Sequence, residues 1–311
     1  MNRTTILFLS ILLLGVTFAY SGHTAECPLY TRLAKEFMPE AVGNERVLDE
    51  LLQVEPDNWM SRLNLEELLR ILNDDGLLKK GGVAPKTLAG MIAGEDSFLK
   101  FNLTKGEMRY ANRSRLFTPD NPKAIDPEKG IQIVLSLLSA LGFNEQNVSI
   151  RSIQDRVLKG AVAEPKQVDP KIIIDMERTY FVPRIVKTLA VSDSIITVGL
   201  SNDGLISRFR VRWPLLVIDQ RISKAKVVSQ EEMIFRVSTQ METEQGCQKN
   251  LEKFAMRLAY APIRGIDGDD KDNVQDVNRI VLFAPKLIVQ YLPGSLEEGG
   301  NVSEFYLYAL P

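Results

Sequence analysis

Histidine is nearly missing from this chain: His23 is the only one in 311 residues. A single imidazole close to the N-terminus leaves no partner for Ser/His/Asp or Cys/His nucleophilic catalysis. It also removes the commonest zinc ligand. No Gly-x-Ser-x-Gly elbow, His-Glu-x-x-His pair or Asp-Thr-Gly triplet occurs. No glycine-rich loop matches a phosphate or dinucleotide fingerprint, so no cofactor is implied. Positive charge is not in excess either. The formal net charge is −2, which gives no bulk electrostatic case for nucleic acid. A non-enzymatic protein is the expectation, with a carboxylate-only hydrolase as the third reading.

Cysteine is limited to Cys27 and Cys247. A multi-bridge scaffold is therefore excluded. One disulfide closing a loop of 220 residues is open, and so are two free thiols. The bridge would stabilise by at most about 5 kcal/mol on the chain-entropy account.

Long apolar runs are also absent. The longest, Ile6–Ala19, spans 14 residues and follows Arg3. A membrane helix needs about 20. A basic start, a short apolar stretch and a small-residue exit describe a secretory signal peptide over residues 1–25. Cleavage is expected after Ala19, with Thr17 at the −3 position, or after Ala25. Export places the mature chain in the periplasm or outside the cell, with no transmembrane segment left. It makes a disulfide chemically accessible.

What is present is periodicity. Residues 26–95 read as a helical segment: Leu29, Leu33 and Phe37 recur every four positions, and Val47, Leu48, Leu51 and Leu52 continue an amphipathic pattern. A helix over Leu65–Asp74 has Asn64 as its cap and Glu67 at the capping-box position, with Gly76 as its left-handed stop. Another helix is expected through Leu88, Met91 and Ile92. After Gly94 the period becomes two, giving a hairpin from Phe98 to Tyr110 turned at Lys105-Gly106. A strongly apolar helix follows from Pro127 to Leu141. Strands are expected at Val148–Ile153 and Lys171–Asp175. The alternation of Ser192–Trp213 about Asn202-Asp203-Gly204 is a hairpin. A helix at Glu231–Thr239 and strands at Phe254–Tyr260, Ile280–Tyr291 and Ser303–Leu310 complete the chain. Helix followed by antiparallel strands occurs twice. The fold class is α+β: a helical N-terminal segment followed by two helix-plus-antiparallel-sheet modules, 96–217 and 218–311.

Several residues carry a resemblance: Phe181-Val-Pro-Arg184, then Val191-Ser-Asp-Ser-Ile-Ile-Thr-Val198, then Asn202-Asp-Gly through Trp213. In the second unit Val228-Ser-Gln-Glu-Glu-Met, Arg257-Leu-Ala-Tyr260 and Ala284-Pro-Lys-Leu-Ile-Val289 fit the same plan. The stretch from about Phe98 to Pro311 resembles the tandem PepSY-type modules of secreted bacterial proteins, which are related to thermolysin-type peptidase prosegments. The glycine usual between the arginine and the hairpin is missing from Arg184–Val191, and the helical segment is outside the likeness. The resemblance implies a non-catalytic module that contacts or restrains a peptidase, or senses at the cell envelope.

Three sets of side chains stand out. Arg208, Arg210 and Arg212 share one strand face, opposite Phe209, Val211 and Trp213, and could dock an acidic partner. Asp267, Asp269, Asp270 and Asp272 form an acidic loop that suits calcium in density but departs from the EF-hand at Lys271 and Asp272. Residues 65–110 spell helix, helix, hairpin, as in a winged-helix DNA reader. The second helix offers only Lys86 and no base-reading side chain, so no nucleic-acid partner is expected. A protein or peptide partner is the leading expectation. A carrier of a small apolar ligand is the alternative.

Overall fold

The computed structural model describes residues 27–55, 59–78, 89–116, 121–143, 148–162, 172–219, 222–247, 251–263, 282–293 and 301–309. The fold class is α+β.

Alternation builds the larger sheet. Its strands are β1 (Ala89–Ala93), β2 (Ser97–Asn102), β3 (Glu107–Asn112), β4 (Gln154–Val162), β5 (Ile172–Val186), β6 (Leu189–Leu200) and β7 (Ile206–Arg212). Neighbours run antiparallel in the order β1-β2-β3-β7-β6-β5-β4. One inner row reads Leu99, Tyr110, Phe209, Val198, Tyr180 across five strands, every one buried. The Tyr110 and Phe209 rings stack at 5.7 Å.

Two helices cover this inner face. In α3 (Leu65–Leu72), Asn64 accepts from the Glu67 N–H at 3.0 Å, and Leu68, Leu69 and Leu72 are buried. The left-handed stop is Asn73 at φ 46, not Gly76, which lies in the next single turn, α4 (Asp75–Leu78). Asparagine tolerates that conformation well enough to end the helix earlier. Helix α5 (Pro127–Ala140) is capped by Asp126, whose carboxylate accepts from the Glu128 and Lys129 N–H groups. Its Gly130 lets the Tyr180 ring lie directly beneath the helix: an added Cβ would stand 1.8 Å from the Tyr180 hydroxyl. That hydroxyl donates to the Pro127 carbonyl at 3.1 Å.

Two expected elements differ. Met91 and Ile92 sit in strand β1, not in a helix; β1 is a five-residue edge strand whose apolar spacing fits either period. Val148–Ile153 is a turn of 3₁₀ helix at Ile150–Ser152, and the strand begins at Gln154. The strand expected at Lys171–Asp175 extends to Val186.

The second core is built on β10 (Leu251–Pro262), β11 (Leu282–Pro293) and β12 (Asn301–Tyr306), an antiparallel meander. Short strand β8 (Val217–Ile218) pairs in parallel with β11, and β9 (Lys226–Val227) and β13 (Tyr308–Ala309) form a separate two-stranded sheet. Helices α1 (Pro28–Phe37), α2 (Glu45–Leu52) and α6 (Gln230–Gln245) pack on it. Helix α1 buries Tyr30 and Ala34, one residue round from the Leu29, Leu33, Phe37 stripe; Phe37 instead meets Phe254 edge-on at 5.4 Å. Cys27 and Cys247 form a disulfide, fixing the start of α1 beside the end of α6. The Tyr30 hydroxyl reinforces this by donating to the Gly246 carbonyl at 2.9 Å.

The two sets of strands join into one 11-stranded sheet where β6 and β10 pair in parallel over Ala190/Ala259 and Val191/Tyr260. Arg184 lies at this junction. A bulge between Pro183 and Ile185 sets it off the regular register, and its side chain is buried. Its guanidinium lies 5.1 Å from the centre of the Trp213 ring and donates to the Pro214 carbonyl at 2.6 Å. Trp213 packs on Phe143, Phe143 stacks on Trp59, and the Trp59 indole donates to the Trp213 carbonyl at 3.0 Å. No helix of the described residues is long and apolar enough to cross a membrane.

Candidate functional site

The outer face of the larger sheet carries a cleft of about 470 Å³. It is built by register. Across one row run Lys100, Arg109, Arg210, Thr197, Phe181 and Gln154. The next row places Ala111, Arg208, Gly199, Thr179 and Arg156. Four arginines therefore border one recess: Arg109 from β3, Arg156 from β4, and Arg208 and Arg210 from β7. Thr179, Thr197 and Phe181 form its floor and wall, with Leu158 at the rim.

Arg208 is held from below. The Glu177 carboxylate, 1% exposed, accepts from Arg208 Nε and Nη2 at 3.0 and 2.7 Å, from Thr179 Oγ1 at 2.7 Å and from Ser207 Oγ at 2.7 Å. A bulge opposite Gly199 and Leu200 brings both Ser207 and Arg208 to this carboxylate. Gly199 is needed there: a Cβ would stand 2.4 Å from the Glu177 carboxylate. Nε and Nη2 are engaged by Glu177 and Thr179, which leaves Arg208 Nη1 to meet a ligand.

The other arginines are not neutralised. Among the described residues no carboxylate forms an ion pair with Lys100, Arg109, Arg156 or Arg210. Arg109 lies over the Phe98 ring at 5.7 Å. Arg212 leaves the cleft and approaches Asp193 at 3.8 Å; Glu107 stands opposite it across the strands. The sequence pattern thus supplied Arg208 and Arg210, whereas Arg109 and Arg156 join them only through strand pairing. The local signal for Arg109 was an exposed arginine on an alternating strand; Arg156, on a run of exposed residues, had none.

The other acidic groups serve the fold. Burial raises the Asp74 carboxyl, but bonds from Ser97, Tyr110, Asn112 and the Leu77 N–H outweigh it and hold it below the ordinary carboxylate range. Desolvation pushes Tyr260, whose hydroxyl donates to the Leu51 carbonyl at 2.9 Å, up to about 12. Asp267, Asp269, Asp270 and Asp272 lie outside the described residues. Among the described residues no cluster of acidic, histidine or cysteine side chains has metal-holding geometry.

Compared with protein-family models, curated proteins and solved structures, the chain finds no match in any of the three.

Proposed function

We propose that the chain is an exported, non-enzymatic binding or regulatory protein that docks a protein or peptide partner in the periplasm or outside the cell. The observation that carries this reading is the cleft with uncompensated Arg109, Arg156 and Arg210. Exposed cations facing one another cost stability unless a ligand uses them. Two of the three buried carboxylates among the described residues, Asp74 and Glu177, are committed to structural hydrogen bonds, which leaves neither for acid–base work.

The order α5 then β4–β7, repeated as α6 then β10–β12, supports two PepSY-like units. On that reading the partner is a peptidase to be restrained or an envelope component to be sensed. The Cys27–Cys247 bridge agrees with export behind a signal peptide. The apolar-carrier alternative gains less: a groove of about 840 Å³ between α1 and α6 offers Pro28, Ile234 and Phe235 but is open and bordered by Arg32, Lys35, Glu36 and Glu231.

Purified mature protein is to be titrated against a thermolysin-type peptidase and used to capture partners from envelope extract. Inhibition or a saturable captured partner is expected; the absence of both would sink the proposal. N-terminal sequencing of the exported chain should begin at Tyr20 or Glu26.

A further inference from the structure

Lys100, Arg109 and Arg210 are register partners across β2, β3 and β7. Side chains so paired have Cβ atoms roughly 5 Å apart, and like charges there repel. The fold tolerates this repulsion at one place on its outer face, beside a recess with apolar and hydroxyl walls. Arginine forks in pairs are suited to bridging carboxylates bidentately.

We infer that the cleft binds an acidic peptide segment, with carboxylates bridging Arg109 and Arg210 and reaching Arg208 and Arg156, and with apolar side chains resting on Phe181 and Leu158. This rests on the proposed binding function and names the chemistry of the partner. The recess of about 470 Å³ is several times the size of a single oxyanion. Its floor at Thr179 and Gly199 is buried below the arginine rim, out of reach of a flat bilayer. Both features favour a chain segment over phosphate or a lipid headgroup. Leu158 is 46% exposed on β4, which pairs on one edge with β5 and on the other with no described residue. Backbone groups of β4 that pair with no described residue can add an extended peptide to the same site.

The test uses the mature chain and a labelled peptide alternating Glu and Phe. The counterpart with Gln for Glu, inorganic phosphate, and vesicles of phosphatidylglycerol in phosphatidylcholine are the comparison probes. The acidic peptide is expected to bind in a salt-sensitive manner and the Gln peptide not to bind. R109Q combined with R210Q should weaken binding about tenfold or more. R236Q, which alters an exposed pair on α6, should leave binding unchanged. The double variant should keep or raise the thermal midpoint, because it removes opposed like charges, so lost binding would not mean lost fold. No binding of the acidic peptide by the wild type, or binding unchanged in the double variant, overturns the inference. Phosphate or vesicles binding as tightly, with the same dependence on Arg109 and Arg210, overturns it as well. If the double variant captures the same envelope partner as the wild type, the cleft is wrong but the binding function stands. If neither captures a partner while the peptide still binds, the cleft stands and the proposed function falls.

Discussion

The two cores differ in how the chain supplies them. The first draws all its buried residues from one stretch, Trp59 to Trp213. The second gathers Cys27 to Leu51 from the N-terminal side, Val191 from the β5–β6 tip and Leu216 to Tyr308 from the C-terminal side. The first closes within one span, its ends joined by the Trp59–Trp213 bond 154 positions apart, whereas the second must bring together segments almost the whole chain apart. The only disulfide of the described residues lies in the second core and encloses the first within its loop of 220 residues. A covalent tie is placed where loop closure is entropically most expensive. The cleft, in contrast, lies on the core that closes within the shorter span.

This contrast can be broken by experiment. Replacing Cys27 and Cys247 by Ser should cost up to about 5 kcal/mol on the chain-entropy account. The loss should be confined to the second core: in hydrogen exchange, amides of α1, α6 and β11 lose protection while those of β5 to β7 keep it. Equal losses in both cores would end the distinction. Trp59→Ala should cost about 3–5 kcal/mol by emptying the space beside Phe143 and Trp213. Urea unfolding should show that loss in the first core, with the α1–α6 contact retained.

Acid should separate the cores further. The Asp74 carboxyl is held below its ordinary value, so its contribution is complete above the unfolded value of about 3.9 and is lost as pH falls through the folded one. Protection of the α4–β3 region should therefore weaken in acid, and Asp74→Asn should flatten that dependence. The smallest effect is expected at the β5–β6 turn, where Lys187 and Thr188 hold φ of 47 and 77. Thr188→Gly should stabilise by about 0.5 kcal/mol, read from the thermal midpoint, because a β-branched residue is strained there.

Legibility in the sequence followed locality. The hairpins β2–β3 and β6–β7 were readable because one buried face imposes strict alternation and a glycine marks each turn. Strand β4 was not, since Gln154, Asp155 and Arg156 are all exposed and no apolar alternation remains. Gly76 was the expected helix stop, and the chain took an earlier one at Asn73. The site was half legible. Arg208 and Arg210 lie two apart on one strand, but Arg156 precedes Arg208 by 52 positions and meets it only through β5 and β6. Glu177, which fixes Arg208, was also hidden, because nothing local distinguishes a buried glutamate from a solvated one.

The β5–β6 hairpin has a mechanical consequence. Thr179, Phe181 and Thr197 on its body form the cleft, while Val191 near its tip is packed in the other core. From Phe181 to Val186 is about 17 Å of continuous ribbon at ordinary strand rise. The ribbon is a torsion bar clamped at both ends. A change in the angle between the cores would load this bar in twist and the parallel joint at Ala190/Ala259 and Val191/Tyr260 in shear.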